Sequence, residues 1–334
     1  MTGKIKGTRR TRILIVVCAI IVVLLLIADI LVGNYLVTFA IGRSSASGAA
    51  VAPPSVTSDE TNSKVDINIK AMSEKTAAWL ETAEVSEVSI TSDDGLLLKG
   101  NTVRTPEKSD LWAILIHGYT SKKEHMGNYA AYYAEKGFNV LMPDMRGHGE
   151  SEGDYIGMGW LDRKDVLKWI NLIISENPAA VITLHGVSMG GATVMMTAGE
   201  ELPDNVKAIV DDCGYTSVWD IFSDELQYIF GLPTFPFLNT ASIIAKLRAG
   251  YTFEEASALE QIKNAKVPMM FIHGSEDNFV HTEMVYRVYE ACPTDKELYV
   301  AEGAGHGGAV YIDPGVYYDK VFAFLEKHMK QFIG

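Results

Sequence analysis

Residues 181–193 read Val181-Ile182-Thr183-Leu184-His185-Gly186-Val187-Ser188-Met189-Gly190-Gly191-Ala192-Thr193. A short apolar run, of the kind carried by a strand buried on both faces, leads into a serine with a glycine two residues away on either side. A helical pattern follows over residues 192–200. A chain that turns sharply from strand to helix needs small residues at 186 and 190. Bulk at either position would block the strained serine conformation and the approach of the helix. Such a turn lifts the Ser188 hydroxyl above the sheet and aims the next N–H groups at a developing oxyanion. Gly186, Ser188 and Gly190 therefore predict a nucleophile elbow, with the Met189 N–H as one oxyanion donor.

Outward from this point, strand and helix patterns alternate. Residues 85–90 and 96–103 flank Asp93-Asp94-Gly95, a hairpin signal. Residues 111–116 form a continuous apolar run. Met126, Tyr129, Ala130 and Tyr133 then recur at helical spacing, with Gly137 as a stop. A short helix over 71–84 precedes the hairpin. A strand over 138–142 is followed by a helix that Asp162 is expected to cap, carrying Val166, Trp169, Ile170 and Ile173 on one face. Further strands fall at 206–210, 267–272 and 298–301. Asp313-Pro314 opens a terminal helix bearing Val321, Phe324, Leu325 and Phe332. The alternation predicts an α/β fold: a mainly parallel twisted sheet with helices on both faces and an antiparallel start. Residues 213–259 interrupt it with Trp219, Phe222, Tyr228, Phe230, Phe235 and Phe237. This insertion reads as a helical cap over a site, against the plainer reading of two packed surface helices.

A nucleophilic serine needs a base, and the base an orienting acid. His306 lies in Glu302-Gly303-Ala304-Gly305-His306-Gly307, just past the last strand, and Asp277 follows the strand before it. In doubly wound folds, active sites gather at such strand ends. The alternatives are His273 or His281 as base and Glu276, Asp211 or Asp212 as acid; His117 and His185 read as structural. The loop after the early strand, His117-Gly118-Tyr119, places the Tyr119 N–H as second oxyanion donor. Asp144-Met145-Arg146-Gly147-His148-Gly149-Glu150-Ser151 reads as a tight hydrogen-bonded loop. A metal at Asp144 and His148 is the alternative, but no further ligands cluster there. No cysteine or histidine cluster has zinc spacing, and neither a metal nor a cofactor is expected.

The pieces LIHGYT, PDMRGHGES, GVSMGG, IHGSEDNFV and GAGHG stand in this order across residues 85–332. In this the chain resembles the α/β-hydrolase superfamily. Within it the chain is similar to bacterial membrane-anchored hydrolases related to serine aminopeptidases, monoacylglycerol lipases and small esterases. The resemblance implies Ser188, Asp277 and His306 as a catalytic triad, in the chain order Ser…Asp…His. It implies no cofactor and leaves the substrate open, since the fold hosts many chemistries.

The formal charge of −13 argues against nucleic-acid binding, which needs clustered Lys and Arg. At the N-terminus, Lys4, Lys6, Arg9, Arg10 and Arg12 precede an apolar run over 13–32 broken only by Asp29. Twenty helical residues span about 30 Å, the thickness of a bilayer core. The expected order is a cytoplasmic basic tail over 1–12, a transmembrane anchor over 13–33, a linker over 34–64 and a hydrolase domain over 65–334. The domain would face outward, because the basic flank stays inside. The alternative is a cleaved signal peptide with Thr38-Phe39-Ala40 as a weak site and a secreted product. Cys213 and Cys292 are expected to be unpaired thiols rather than a disulfide. The leading expectation is hydrolysis of a small or lipid-like carboxylic ester with an apolar acyl group. The alternatives are a peptidase or amidase, with Glu254-Glu255 as a clamp, and a non-catalytic membrane-bound binding module. Oligomeric state is not legible.

Overall fold

The computed structural model describes residues 9–43 and 59–329. Lys4, Lys6, residues 44–58 of the expected linker and Phe332 lie outside them. The chain runs α1 (Arg9–Ile41), α2 (Asp59–Leu80), β1 (Val85–Thr91), β2 (Leu97–Val103), β3 (Leu111–Ile116), α3 (Gly127–Glu135), β4 (Asn139–Pro143), α4 (Asp162–Glu176), β5 (Val181–Val187) and α5 (Met189–Ala198). It continues through β6 (Val206–Asp212), α6 (Val218–Phe230), α7 (Phe237–Ala249), α8 (Ala258–Ile262), β7 (Met269–Gly274), α9 (Glu283–Ala291), β8 (Lys296–Ala301), α10 (Ala309–Ile312) and α11 (Pro314–Met329).

Eight strands form one sheet in the order β1-β2-β4-β3-β5-β6-β7-β8. β2 runs antiparallel to both β1 and β4, and every later pairing is parallel. The apolar runs at β3 and β7 are buried along their full length, as strands covered on both faces must be. One face packs Trp169 and Ile170 of α4, the whole of α5 and Val285 of α9. The other packs Tyr129 and Tyr133 of α3 with Tyr317, Val321 and Phe324 of α11. From β3 the chain steps to β4 on one side and then to β5 on the other. This reversal opens a crevice at the carboxyl ends of β3 and β5, where such sheets place ligands.

Three expectations are corrected. The helix before the hairpin is longer than 71–84 and ends at Leu80. Asp162 is the first residue of α4 and does not cap it from outside; its carboxylate reaches back to the Gly159 N–H at 2.7 Å. The linker expected to start at residue 34 does not start there, because α1 continues to Ile41. Leu36, Val37 and Ile41 are buried in the main core, and that burial is what extends the helix. Gly42 then bridges Tyr155, and the Arg43 N–H donates to the Asp154 carbonyl at 2.8 Å.

The 144–151 loop is tied to the sheet by buried charge. Asp144 accepts the Lys123 ammonium at 2.8 Å and the Glu150 N–H at 3.0 Å. Arg146 grips Asp165 of α4 through two bonds of 2.8 Å and Asp94 of the hairpin turn at 2.9 Å. Arg146 and Asp165 are both buried. Removing one partner of such a pair leaves an uncompensated buried charge, at a cost of about 3–5 kcal/mol. Arg146→Met is therefore expected to lower the urea midpoint of the full chain by an amount matching that range. A midpoint unchanged from wild type would contradict it.

Candidate active site

β5 ends at Val187, and Ser188 takes φ 59° and ψ −116°, a left-handed conformation that is unfavourable for a residue with a side chain. Its surroundings impose it. A Cβ on Gly186 would lie 2.0 Å from the Gly190 carbonyl oxygen, and one on Gly190 would lie 2.1 Å from the Ile116 carbonyl oxygen. Only glycine lets α5 start this close to β3 and β5. The Ser188 N–H donates to the Asp212 carbonyl at 2.7 Å, which pins the turn to β6.

Three strand ends converge on this hydroxyl. His306, in the loop after β8, places Nε2 2.7 Å from Ser188 Oγ and Nδ1 2.8 Å from Asp277 Oδ2. Asp277 follows β7 and is buried. With Nδ1–H donating to the carboxylate, Nε2 is left as acceptor for the serine proton. Burial alone would raise the Asp277 pKa, but hydrogen bonds from His273 and His306 outweigh it and hold the carboxyl well below its usual range. The Phe279 and Val280 N–H groups add two bonds to Oδ1, at 3.0 and 2.9 Å. Phe279 also packs edge-on against the His306 ring, with centroids 4.9 Å apart.

The rival residues have other partners. His273 is buried behind Asp277, with its Nε2–H on the Val280 carbonyl at 2.8 Å. His281 is exposed, 3.9 Å from Asp224, and Glu276 is exposed beside the buried Asp277. Asp211 accepts the Gly214 N–H and Asp212 the Tyr317 hydroxyl. Burial pushes these two carboxyls up to about 7 and about 6. His117 accepts the Met145 N–H at 3.0 Å, and His185 lies between the hydroxyls of Tyr133 and Tyr317. Burial holds both imidazoles neutral. His148 contacts the Arg146 carbonyl, and Asp144 is taken up by Lys123 and Glu150. Glu254 accepts the Ser242 hydroxyl and Glu255 the Lys246 ammonium, so both carboxylates of the expected clamp are engaged within the fold. Cys213 and Cys292 are buried free thiols.

Met189 opens α5, so its N–H is among those a helix start leaves without an intrahelical acceptor. Tyr119 lies in the loop after β3. Gly118 approaches so closely that a Cβ on it would stand 3.2 Å from Ser188 Cβ. Both residues chosen for the oxyanion hole thus neighbour the serine.

A cavity opens above Ser188. Its walls include Ile221, Phe222, Leu226 and Phe230 of α6, Leu238 and Ala241 of α7, and Phe253. The aromatic insertion therefore covers the serine. Two contributors escape a reading of the motifs. Leu36, Phe39 and Ala40 of α1 line the same cavity, although their stretch reads as linker. The unbroken apolar spacing past Gly33 was the available signal. Glu225 of α6 also lines it, with Oε2 unpartnered. Burial, with the nearby Asp224 charge adding to it, pushes its carboxyl up to about 7. Glu225 carries no motif, so only the fold exposes it.

Comparison with known proteins agrees with this architecture. The prolyl oligopeptidase family, peptidase family S9, matches residues 124–332. YqkD of Bacillus subtilis, an uncharacterized protein, is 30% identical over 247 residues, covering 74% of this chain and 81% of its own. The thermostable monoacylglycerol lipase of Bacillus sp. strain H-257 is 20% identical, covering 66% and 93%. A solved esterase of Pyrococcus furiosus superposes with a TM-score of 0.61 at 25% identity, covering 85% of this chain and 98% of its own. With an eight-stranded sheet of this order and a serine elbow at the crevice, the chain belongs to the prolyl oligopeptidase family and is an esterase/lipase-like α/β-hydrolase.

Proposed function

We propose that this protein hydrolyses carboxylic esters bearing an apolar acyl group, with Ser188 as nucleophile, His306 as general base and Asp277 as its orienting acid. The observation that carries the reading is the unbroken relay from Asp277 Oδ2 through His306 to Ser188 Oγ, at 2.8 and 2.7 Å, at the floor of an apolar cavity. His306 Nε2 takes the hydroxyl proton as Oγ attacks the carbonyl carbon. The Met189 and Tyr119 N–H groups receive the oxyanion. Asp277 stabilises the imidazolium, which then protonates the leaving alcohol. Water, deprotonated by the same imidazole, attacks the acyl-enzyme and releases the acid and the free serine.

The peptidase reading draws on the family, but Glu254 and Glu255, its expected clamp, are engaged elsewhere. α1 is the one helix among the described residues long and apolar enough to cross a membrane. We read it as an uncleaved anchor with the basic end cytoplasmic and the domain outside.

A fluorophosphonate probe is expected to label wild type and not Ser188→Ala. Ester turnover in that variant should fall by at least about 10³-fold. Labelling that persists in Ser188→Ala would refute the nucleophile. On a panel of acyl esters and aminoacyl amides, ester turnover is expected to dominate; faster amide cleavage would favour the peptidase.

Glu225 adds a pH signature. Its raised carboxyl is uncharged below about pH 7 and gains charge as pH rises through that value. A charge in the apolar cavity disfavours an acyl chain. KM for a long-chain ester is therefore expected to climb between pH 6 and 9 (about threefold or more, one pKa unit being a factor of ten) and to stay flat in Glu225→Gln. Superimposable KM profiles would exclude this role.

A further inference from the structure

α1 changes surroundings along its length without a break. From Ile13 to Leu31 its apolar side chains are exposed on every side of the helix, whereas Leu36, Val37 and Ile41 are buried in the protein core. A helix apolar all round and uncovered by protein suits lipid. The transition is a close seam with α7. A Cβ on Gly33 would meet Thr240 Cγ2 at 2.9 Å, and Asp29 accepts the Thr240 hydroxyl. Arg248 donates to Asn34 Oδ1 at 2.8 Å and to Thr38 Oγ1 at 3.0 Å. Beyond the seam, the Phe39 ring meets Phe230 of α6 with centroids 5.4 Å apart, and the Ala40 carbonyl accepts the Tyr119 hydroxyl at 2.7 Å. The cavity wall formed by Leu36, Phe39 and Ala40 is thus the direct continuation of the apolar run.

These contacts also orient the insertion. Thr240 meets Asp29 and Arg248 meets Asn34 and Thr38, so α7 runs alongside α1 in the same direction. Its start, and the α6–α7 connection before it, lie toward the apolar run. Large apolar side chains on either side of that connection stand in the open: Tyr228, in the last turn of α6, is 80% exposed and Phe235, just before α7, is 77% exposed. Neither lines the cavity.

We propose that the cavity is loaded from the bilayer: the α6–α7 tip sits in the membrane interface beside α1, and a single-chain acyl ester dissolved in the lipid moves along α1 to Ser188. This rests on the esterase reading above and names its substrate class. Continuity with the exposed apolar length of α1 selects lipid as the occupant of the tip. Retention of α1 follows, since cleavage after Ala40 would remove three wall residues and uncover Phe230.

The test uses the full chain reconstituted in phosphatidylcholine vesicles. Tyr228→Asp/Phe235→Asp is assayed on a water-soluble acetyl ester and on monooleoylglycerol dissolved in the bilayer. Both side chains are exposed, so acetyl-ester turnover should stay within about twofold of wild type as a readout of the intact elbow. Monooleoylglycerol turnover should fall at least tenfold. In parallel, Phe235→Cys in a Cys18→Ser background, where Cys213 and Cys292 are buried, carries a polarity-sensitive fluorophore. Its emission should shift to the blue in vesicles at any protein-to-lipid ratio. Full monooleoylglycerol turnover by the double variant, or a water-like emission at 235, would overturn the proposal. So would a blue shift that scales with protein density, which would mark a second copy as the occupant. Wild type that cleaves neither ester while still showing the blue shift would bring down the esterase reading, and the loading route with it.

Discussion

Everything in the site depends on a backbone held where it is unfavourable. Ser188 adopts a positive φ that costs of order 1–3 kcal/mol, and such strain persists only when the surroundings over-determine it. Here the carbonyls of Gly190 and Ile116 occupy the space a side chain would need at Gly186 and Gly190, while the Ser188 N–H is tied to β6. The same close approach seats α5 on the sheet and points its N-terminus at the place where negative charge would develop. The strained turn and the placing of the start of α5 beside Ser188 are therefore consequences of one packing requirement.

Charge is handled in two opposite ways within a few residues. Asp277 is buried yet well supplied with donors, from two backbone N–H groups and from His306, with His273 3.2 Å away, so its carboxylate stays ionised. Asp211 and Asp212, at the end of the neighbouring strand, are at least as deeply buried with fewer donors, and their carboxyls titrate near neutrality. Of the acids near His306, Asp277 is the one that combines contact with a stable negative charge. That difference sets Asp277 apart from its two neighbours more firmly than chain order does.

The strand pattern, the elbow and the convergence of loops on it were legible because each leaves a local mark: unbroken apolar runs for β3, β5 and β7, and glycines where chains approach closely. The approach of Asp277 and His306 to Ser188 was legible because both follow strands whose carboxyl ends must meet. The rest was hidden for physical reasons. The end of α1 looked like a linker because its burial is created by α6, α7 and the 154–156 segment, all distant in sequence. Asp162 resembles a cap residue, but the sequence cannot show that its carboxylate turns back to Gly159. Glu225 is one acidic residue on an amphipathic helix until the fold turns it into a cavity.

The end of α1 has a practical consequence. A soluble fragment beginning after residue 43 would keep the elbow, the histidine and the aspartate, and on those grounds would pass as the whole catalytic unit. It would lack Leu36, Phe39 and Ala40, and with them the partner of Phe230 and the acceptor of the Tyr119 hydroxyl. The cavity above Ser188 would be wider and wetter in such a fragment than in the intact molecule. One helix carries both an apolar run long enough to cross a membrane and part of the cavity wall, so neither can be altered independently of the other.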